Sequence, residues 1–277
     1  MPFSRVFWGR LMGIILLGIF CLTPIIWQIL TSFKPTAEIV AIPLHYWPQH
    51  WTLAHYYSLF DRRPLENYLI NSFLVAIVST FLSLALGTPA AYSLSRGPIP
   101  QKSVWVAIIF ATTLFPYIFI FIGLLELVRT WGWGNTYLAL IVPYTALNLP
   151  LTILVMRSFF LQLPQDIEDA ARMDGYSPGG LLVKILLPLT APALVTTGIL
   201  TFIFAWNEYL FALSFISRET LKTIPVATAA IAGSSIFEVP YGPMAAATVL
   251  GTLPLIILVL FFQRRIIGGL TAGAVKG

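Results

Sequence analysis

Leu163-Pro-Gln-Asp-Ile-Glu-Asp-Ala-Ala-Arg-Met-Asp-Gly-Tyr-Ser-Pro178 is a polar run set between long apolar stretches. Pro164 suits the first turn of a helix, where its missing N–H would have no partner in any case. Asp166, Glu168 and Asp169 follow in the turns where the helix dipole favours carboxylates. Gly175 fits the left-handed position that closes such a helix, and Ser177-Pro178 restarts one as N-cap and first helical residue. Leu181, Leu182, Ile185 and Leu186 give this second helix an apolar face, and Pro188 is expected to end it. The spacing predicts two short helices meeting at a sharp glycine corner.

On both sides of this run the chain turns apolar for lengths that cross a bilayer. A spanning helix needs about 20 mostly apolar residues, and six stretches qualify, at about 11–30, 68–94, 104–125, 137–160, 189–217 and 243–263. The whole chain of 277 residues is 58% hydrophobic and 10% charged. Soluble domains carry about 25% charged residues, so a water-facing surface could not be built from this composition. The expected fold class is therefore an all-α integral membrane protein of six transmembrane helices, a single domain over 1–277. The first stretch follows Arg5 and Arg10, but it is too long for a secretory signal peptide and further spans follow, so a retained helix is expected.

Lysine and arginine placement sets the orientation. Arg5, Arg10, Arg264, Arg265 and Lys276 lie at the ends, with Arg96 and Lys102 after span two and Arg157, Arg172 and Lys184 after span four. Lys34, Arg62, Arg63, Arg129, Arg218 and Lys222 lie on the other side in longer loops. Both termini, the 161–188 loop and a tail at 264–277 are thus expected in the cytoplasm. The net charge of +5 is read as this orientation signal and not as a nucleic-acid surface. Trp47, Trp51, Trp131 and Trp133 fall in or beside the outer loops, as an interfacial belt would. Pro24, Pro89, Pro116, Pro143, Pro150 and Pro254 fall within spans and are candidate kinks. Cys21 is the only cysteine, which excludes a disulfide within the chain. His45, His50 and His55 recur at intervals of five, on different helical faces, so a solvated loop is expected and no metal site.

The polar run resembles the EAA loop of ABC importer permeases, with Asp169, Ala170, Ala171, Asp174 and Gly175 followed by Leu187 and Pro188. Phe204-Ala-Trp-Asn-Glu-Tyr-Leu210 and the end, Gln263-Arg-Arg-Ile-Ile-Gly-Gly-Leu-Thr-Ala-Gly-Ala-Val-Lys-Gly277, look like the maltose/trehalose-type carbohydrate uptake family, in its second-permease (MalG-like) form. The resemblance covers essentially the whole chain and implies the type I importer permease fold. It implies a second homologous permease, two ABC ATPase subunits that hold ATP and magnesium, and an extracytoplasmic sugar-binding protein. The chain itself is then expected to be no enzyme and to bind no cofactor. Glu168, Asp169, Ala170, Ala171, Arg172, Asp174 and Gly175 become the ATPase-coupling residues. Asp169 stands where the family usually has Glu, so its carboxylate reaches one methylene less. The tail residues Gly269, Leu270, Thr271 and Lys276 are expected to contact the ATPases, and Gly233, Ser234, Ser235, Phe237 and Glu238 the binding protein.

Glu208 is the only acidic residue deep within an expected span, where a charge costs roughly 2.5–3.5 kcal/mol by insertion scales. It must face a partner or water. With Trp206, Asn207 and Tyr209 it could line a sugar path, through hydrogen bonds and stacking, or it could be a packing element paired across the permease interface. A self-contained secondary transporter would usually carry several intramembrane coupling acids, and a non-sugar ABC permease is the nearer alternative. No G-x-x-x-x-G-K-[ST] motif occurs, so ATP hydrolysis belongs to partner subunits. The expected cargo is a disaccharide or small glucoside such as trehalose, maltose or a glucosylglycerol, and the expected location the bacterial inner membrane.

Overall fold

The computed structural model describes residues 5–62, 64–232 and 239–274, with side chains described over 7–61, 64–231 and 239–263. The described residues hold helices and no strand. The first half of the chain forms α1 (Arg5–Ser32), the short α2 (Thr36–Ile39), α3 (Ala54–Arg62), α4 (Leu65–Arg96), α5 (Lys102–Thr113) and α6 (Tyr117–Thr130). Then come α7 (Leu138–Gln162), α8 (Gln165–Met173), α9 (Pro178–Leu181), a π turn at Leu182–Leu186, and α10 (Leu187–Leu189). The last elements are α11 (Ala191–Asn207), α12 (Leu210–Phe215), a 3₁₀ turn at Glu219–Leu221, α13 (Ile224–Ala232) and α14 (Tyr241–Ala274). Four of these helices are long and apolar enough to cross a membrane without interruption: Phe7–Ser32, Leu65–Arg96, Leu138–Gln162 and Tyr241–Gln263. Two bent helix pairs bring the number to as many as six.

Three expected spans differ from their helices. The stretch expected at 104–125 is α5 and α6, turned by 88° around Leu114-Phe115-Pro116. Pro116 has no N–H to give and disfavours helical backbone in the residue before it, so the helix stops and restarts there. The stretch expected at 189–217 begins at Ala191, turned by 82° from the Pro178–Leu189 helices, and is interrupted at Glu208-Tyr209. The last helix, expected to end at Gln263, continues to Ala274. Gly268 and Gly269 each cost a helix about 1 kcal/mol relative to alanine but keep their N–H groups, so they do not stop it. Five of the six prolines marked as kinks (Pro24, Pro89, Pro143, Pro150 and Pro254) lie inside continuous helices.

The chain divides into two compact units, residues 1–66 with 227–254 and residues 67–226 with 255–277. In the first, none of the most apolar window of α1 is buried. Past α1, the Lys34 ammonium is buried, donating to the His45 carbonyl at 2.6 Å and lying 4.6 Å over the Trp27 ring. Burial pushes that ammonium below its usual value, with the Glu38 carboxylate opposing. The histidines are not one solvated loop: His50 faces outward, but His55 is buried, its Nε2 2.8 Å from the Lys34 carbonyl oxygen. A backbone carbonyl needing a donor in a covered site accounts for that burial.

The second unit is organised on α7, against which α5, α11 and α12 pack. Tyr144, Asn148, Thr152, Met156 and Phe160 recur every four residues on its buried stripe. The polar members serve their own helix: Asn148 donates to the Tyr144 carbonyl at 2.8 Å and Thr152 to the Asn148 carbonyl at 2.9 Å. Gly87 lets α4 come close here, since a Cβ at that position would meet Thr152 Cγ2 at 2.6 Å.

Candidate functional site

Two places in the second unit gather the polar chemistry, the elbow at 161–189 and the interruption at Glu208-Tyr209. The elbow forms as its sequence dictates. Gly175 has φ +82°, its N–H donates to the Arg172 carbonyl at 3.0 Å, and the Tyr176 N–H donates to the Ala171 carbonyl at 3.1 Å. This pair of bonds is the Schellman closure that a left-handed glycine permits. Ser177 Oγ then accepts the Gly180 N–H at 3.2 Å as the cap of α9. Ala171, Leu181, Leu182 and Leu186 seat the elbow against Ala91, Met156, Phe160 and Ala193, from the ends of α4, α7 and α11.

The seven residues expected to couple to the ATPases separate by face. Ala171 and Glu168 point inward and are buried, whereas Asp169, Ala170, Arg172, Asp174 and Gly175 are exposed. Glu168 lies inside a cage of donors. Arg96 Nε stands 3.0 Å from its Oε1 as an ion pair, out of line for a hydrogen bond. Tyr92 donates its hydroxyl to Oε2 at 3.2 Å, and Arg172 approaches that oxygen at 3.5 Å. Arg96 also donates to the carbonyls of Phe160 and Leu163, at 3.1 and 2.5 Å, which pins the end of α7 to α4. Among the described residues Asp169 pairs only with Arg172, at 3.4 Å, and its side chain is 68% exposed. The sequence pattern missed Arg96 and Tyr92; a basic residue and a tyrosine one turn apart at the end of α4 were the available signal.

At the interruption, Glu208 has extended backbone (φ −66°, ψ 129°) and its carboxylate is buried. Oε1 accepts from the Tyr117 hydroxyl and the Phe211 N–H, each at 3.0 Å. Oε2 accepts from the Tyr144 hydroxyl and, at 3.2 Å, from the N–H groups of Phe211 and Ala212. The side chain thus caps the start of α12 with the orphan N–H groups that any helix start leaves. Stacked rings enclose it: Tyr117 on Phe211 at 5.0 Å, Phe121 on Phe211 at 5.6 Å and Phe211 on Phe215 at 5.4 Å. The four residues expected on a sugar path do not share a face. Trp206 is buried, stacked on Phe202 at 5.7 Å, while Asn207 and Tyr209 are exposed on either side of the carboxylate.

Outward of this block, Asn135 holds the α6–α7 turn to the segment after α12. Its Oδ1 accepts the N–H groups of Ser217 and Arg218 at 2.7 Å each, and its Nδ2 donates to Ser217 Oγ at 2.9 Å. Asn71 of α4 donates to the carbonyls of Thr220 and Lys222, both at 2.9 Å. Gly233, Ser234, Ser235, Phe237 and Glu238 lie outside the described residues, as does Lys276; Gly269, Leu270 and Thr271 fall on the last turns of α14. Among the described residues no group of three or more His, Cys, Asp and Glu is placed to hold a metal ion.

Residues 68–271 match the family model described as binding-protein-dependent transport system inner membrane component. The chain is 41% identical to the sulfoquinovosyl glycerol transport system permease protein SmoH of Agrobacterium fabrum, over 92% of this chain and 89% of that protein. It is also 41% identical to the trehalose transport system permease protein SugB of Mycobacterium tuberculosis, over 93% of each. A crystal structure of a bacterial ABC transporter involved in importing the acidic polysaccharide alginate contains a chain that superposes with a TM-score of 0.78 at 26% identity. That match covers 95% of this chain and 99% of the other.

Proposed function

The chain belongs to the binding-protein-dependent transport system inner membrane component family, and from that premise we propose that it is one permease subunit of an ATP-driven sugar importer. A second homologous permease completes the path, two ABC ATPase subunits hydrolyse magnesium-bound ATP beneath it, and an extracytoplasmic binding protein delivers the cargo. Both termini lie in the cytoplasm of a bacterial inner membrane, as the arginine placement supports. The observation that carries this reading is the two-faced elbow: Glu168 and Ala171 anchor it to three spans while Asp169, Ala170 and Asp174 are left for a partner.

The cargo is a two-part glycoside such as trehalose, maltose or a glucosylglycerol. Relatives named for sulfoquinovosyl glycerol and for trehalose share that plan, one pyranose joined to a polyol or a second sugar. Asn207 and Tyr209, exposed beside the interruption, are the path contacts, the amide for hydroxyl groups and the ring for stacking. Trp206 and Glu208 shape the interruption that presents them. The 233–238 segment engages the binding protein and the end of α14 reaches the ATPases.

Reconstitution with the ATPase subunits and the binding protein tests the assignment. Asp169→Lys and Gly175→Leu, both on the outward side of the elbow, leave the permease inserted but reduce ATPase co-purification and sugar-stimulated hydrolysis. Normal stimulation in both variants overturns the coupling assignment. Calorimetry of the binding protein with trehalose, maltose and glucosylglycerol decides the cargo.

A further inference from the structure

The two bent or interrupted spans meet at one side chain. Tyr117 is the first residue of α6, immediately after the Pro116 corner, and Glu208 is the extended residue between α11 and α12. Their bond of 3.0 Å therefore runs from one break in the helical backbone to the other, with Tyr144 of α7 holding the second carboxylate oxygen. We infer that Glu208 is a positioning residue that locks these breaks together, so that α6 and α12 travel as one body during transport while α5 and α11 pivot against it. This inference rests on the importer reading only for the conditions of turnover.

Three observations support a joint in preference to a capping contact alone. The carboxylate receives hydroxyl donors from two other helices as well as the α12 N–H groups, so removing it unlinks three elements. The ring stack continues the link along α6 and α12, with Phe121 on both Phe211 and Phe215, at 5.6 and 6.0 Å. Beside the Pro116 corner, between α5, the first turn of α6, α7 and α11, lies a largely apolar cleft of about 530 Å³, bordered by Thr112, Tyr117, Leu147, Pro150 and Phe204. The stacked rings thus fill the α6–α12 side of the corner, whereas α5 and α11, though packed on α7, border a cleft that leaves them room to shift. Glu208→Gln cannot reproduce the link, because its amide NH₂ would face donors where Oε2 now accepts.

The test uses the complete transporter in nanodiscs, with Cys21→Ser and spin labels at Ile122→Cys on α6 and Leu213→Cys on α12. Both label sites are exposed, at 57% and 48%. The spin–spin distance is measured without nucleotide, with ATP, and with ATP, binding protein and sugar. A joint predicts one narrow distance unchanged across these states. It also predicts that Tyr144→Phe and Glu208→Gln broaden the distance without nucleotide, and that sugar-stimulated hydrolysis falls on the order of fivefold, the scale of coupling lost when a linking element is cut. A distance that shifts with nucleotide while Glu208 is intact overturns the inference. So does a distance that stays narrow in both variants. Absence of stimulated hydrolysis in the labelled parent counts against the importer reading instead, and the nucleotide-free widths still decide the joint. Should Glu208→Gln fail to assemble, Tyr117→Phe and Tyr144→Phe make the same comparison with the carboxylate retained.

Discussion

Glu168 and Glu208 are buried to nearly the same degree, 3% and 7% exposed, yet opposite chemistry holds them. Glu168, at the elbow, has two arginines within 3.5 Å and a tyrosine hydroxyl. Glu208, within a span, pairs with no lysine or arginine among the described residues and is held by two tyrosine hydroxyls and backbone N–H groups. The difference follows from depth. At the membrane edge an arginine can reach a carboxylate while keeping part of itself near water. Inside the bilayer a second charge would add its own desolvation cost, so neutral donors already present in helices are used. The elbow therefore holds its carboxylate by charge, and the interruption holds its own by neutral donors.

The strongest way to break this comparison is Glu208→Ala. It leaves two hydroxyls and two amide donors facing a dry gap, at about 1–3 kcal/mol for each group left without a partner. The expected outcome is collapse of assembled yield and a large drop in thermal midpoint in detergent, exceeding the effect of any single elbow substitution. Arg96→Ala comes next. Glu168 keeps Arg172 and Tyr92, so the loss is about 2 kcal/mol, below the 3–5 kcal/mol of a buried charge left wholly unpaired. The exchange Arg96→Glu with Glu168→Arg restores part of it, read by the same thermal midpoint. If Arg96→Ala costs more than Glu208→Ala, neutral donors are not the tighter arrangement.

Tyr92→Phe sharpens the comparison at one hydroxyl, with an expected loss of about 0.5–1.5 kcal/mol, the net worth of one hydrogen bond. The corresponding change beside Glu208, Tyr144→Phe, is expected to cost more, because no water can replace the hydroxyl there. A third carboxylate, Glu38 in α2, supplies the small end of the scale. Burial alone would push its carboxyl up, but the Gln49 N–H at 2.9 Å and the His50 N–H and ring at 3.0 and 2.7 Å hold it below the ordinary 4.5. A depressed folded value means that its stabilisation is present above the unfolded value and is lost as pH falls through the folded one. A modest decline in thermal midpoint on acidification below about pH 4.5, absent in Glu38→Gln, is expected; an unchanged decline in that variant assigns the acid sensitivity elsewhere.

Much of the elbow was legible because its signals are local. Pro164, Gly175, Ser177 and Pro178 each act within a turn of themselves, and the two short helices and their corner stand where those residues put them. The long apolar helices were legible for the same kind of reason, since hydropathy is summed over neighbours, but the bends within two of the six stretches were not. The interruption at Glu208 was not. Proline marked six candidate kinks, but only Pro116 stands at a break, and the second break occurs where there is no proline at all. The histidines failed similarly, because burial of His55 depends on the Lys34 carbonyl, 21 residues away.

The sequence by itself determined that this chain is a membrane protein, where its long apolar helices lie, and that a capped two-helix elbow stands between α7 and α11. Composition and near-neighbour sterics suffice for those properties. Only the tertiary structure decided which of two adjacent acids, Glu168 or Asp169, turns inward, and that Glu208 is met by Tyr117 and Tyr144, 91 and 64 residues away. A buried carboxylate must find donors wherever the packed helices bring them, and that proximity in space leaves no spacing along the chain from which it could be read.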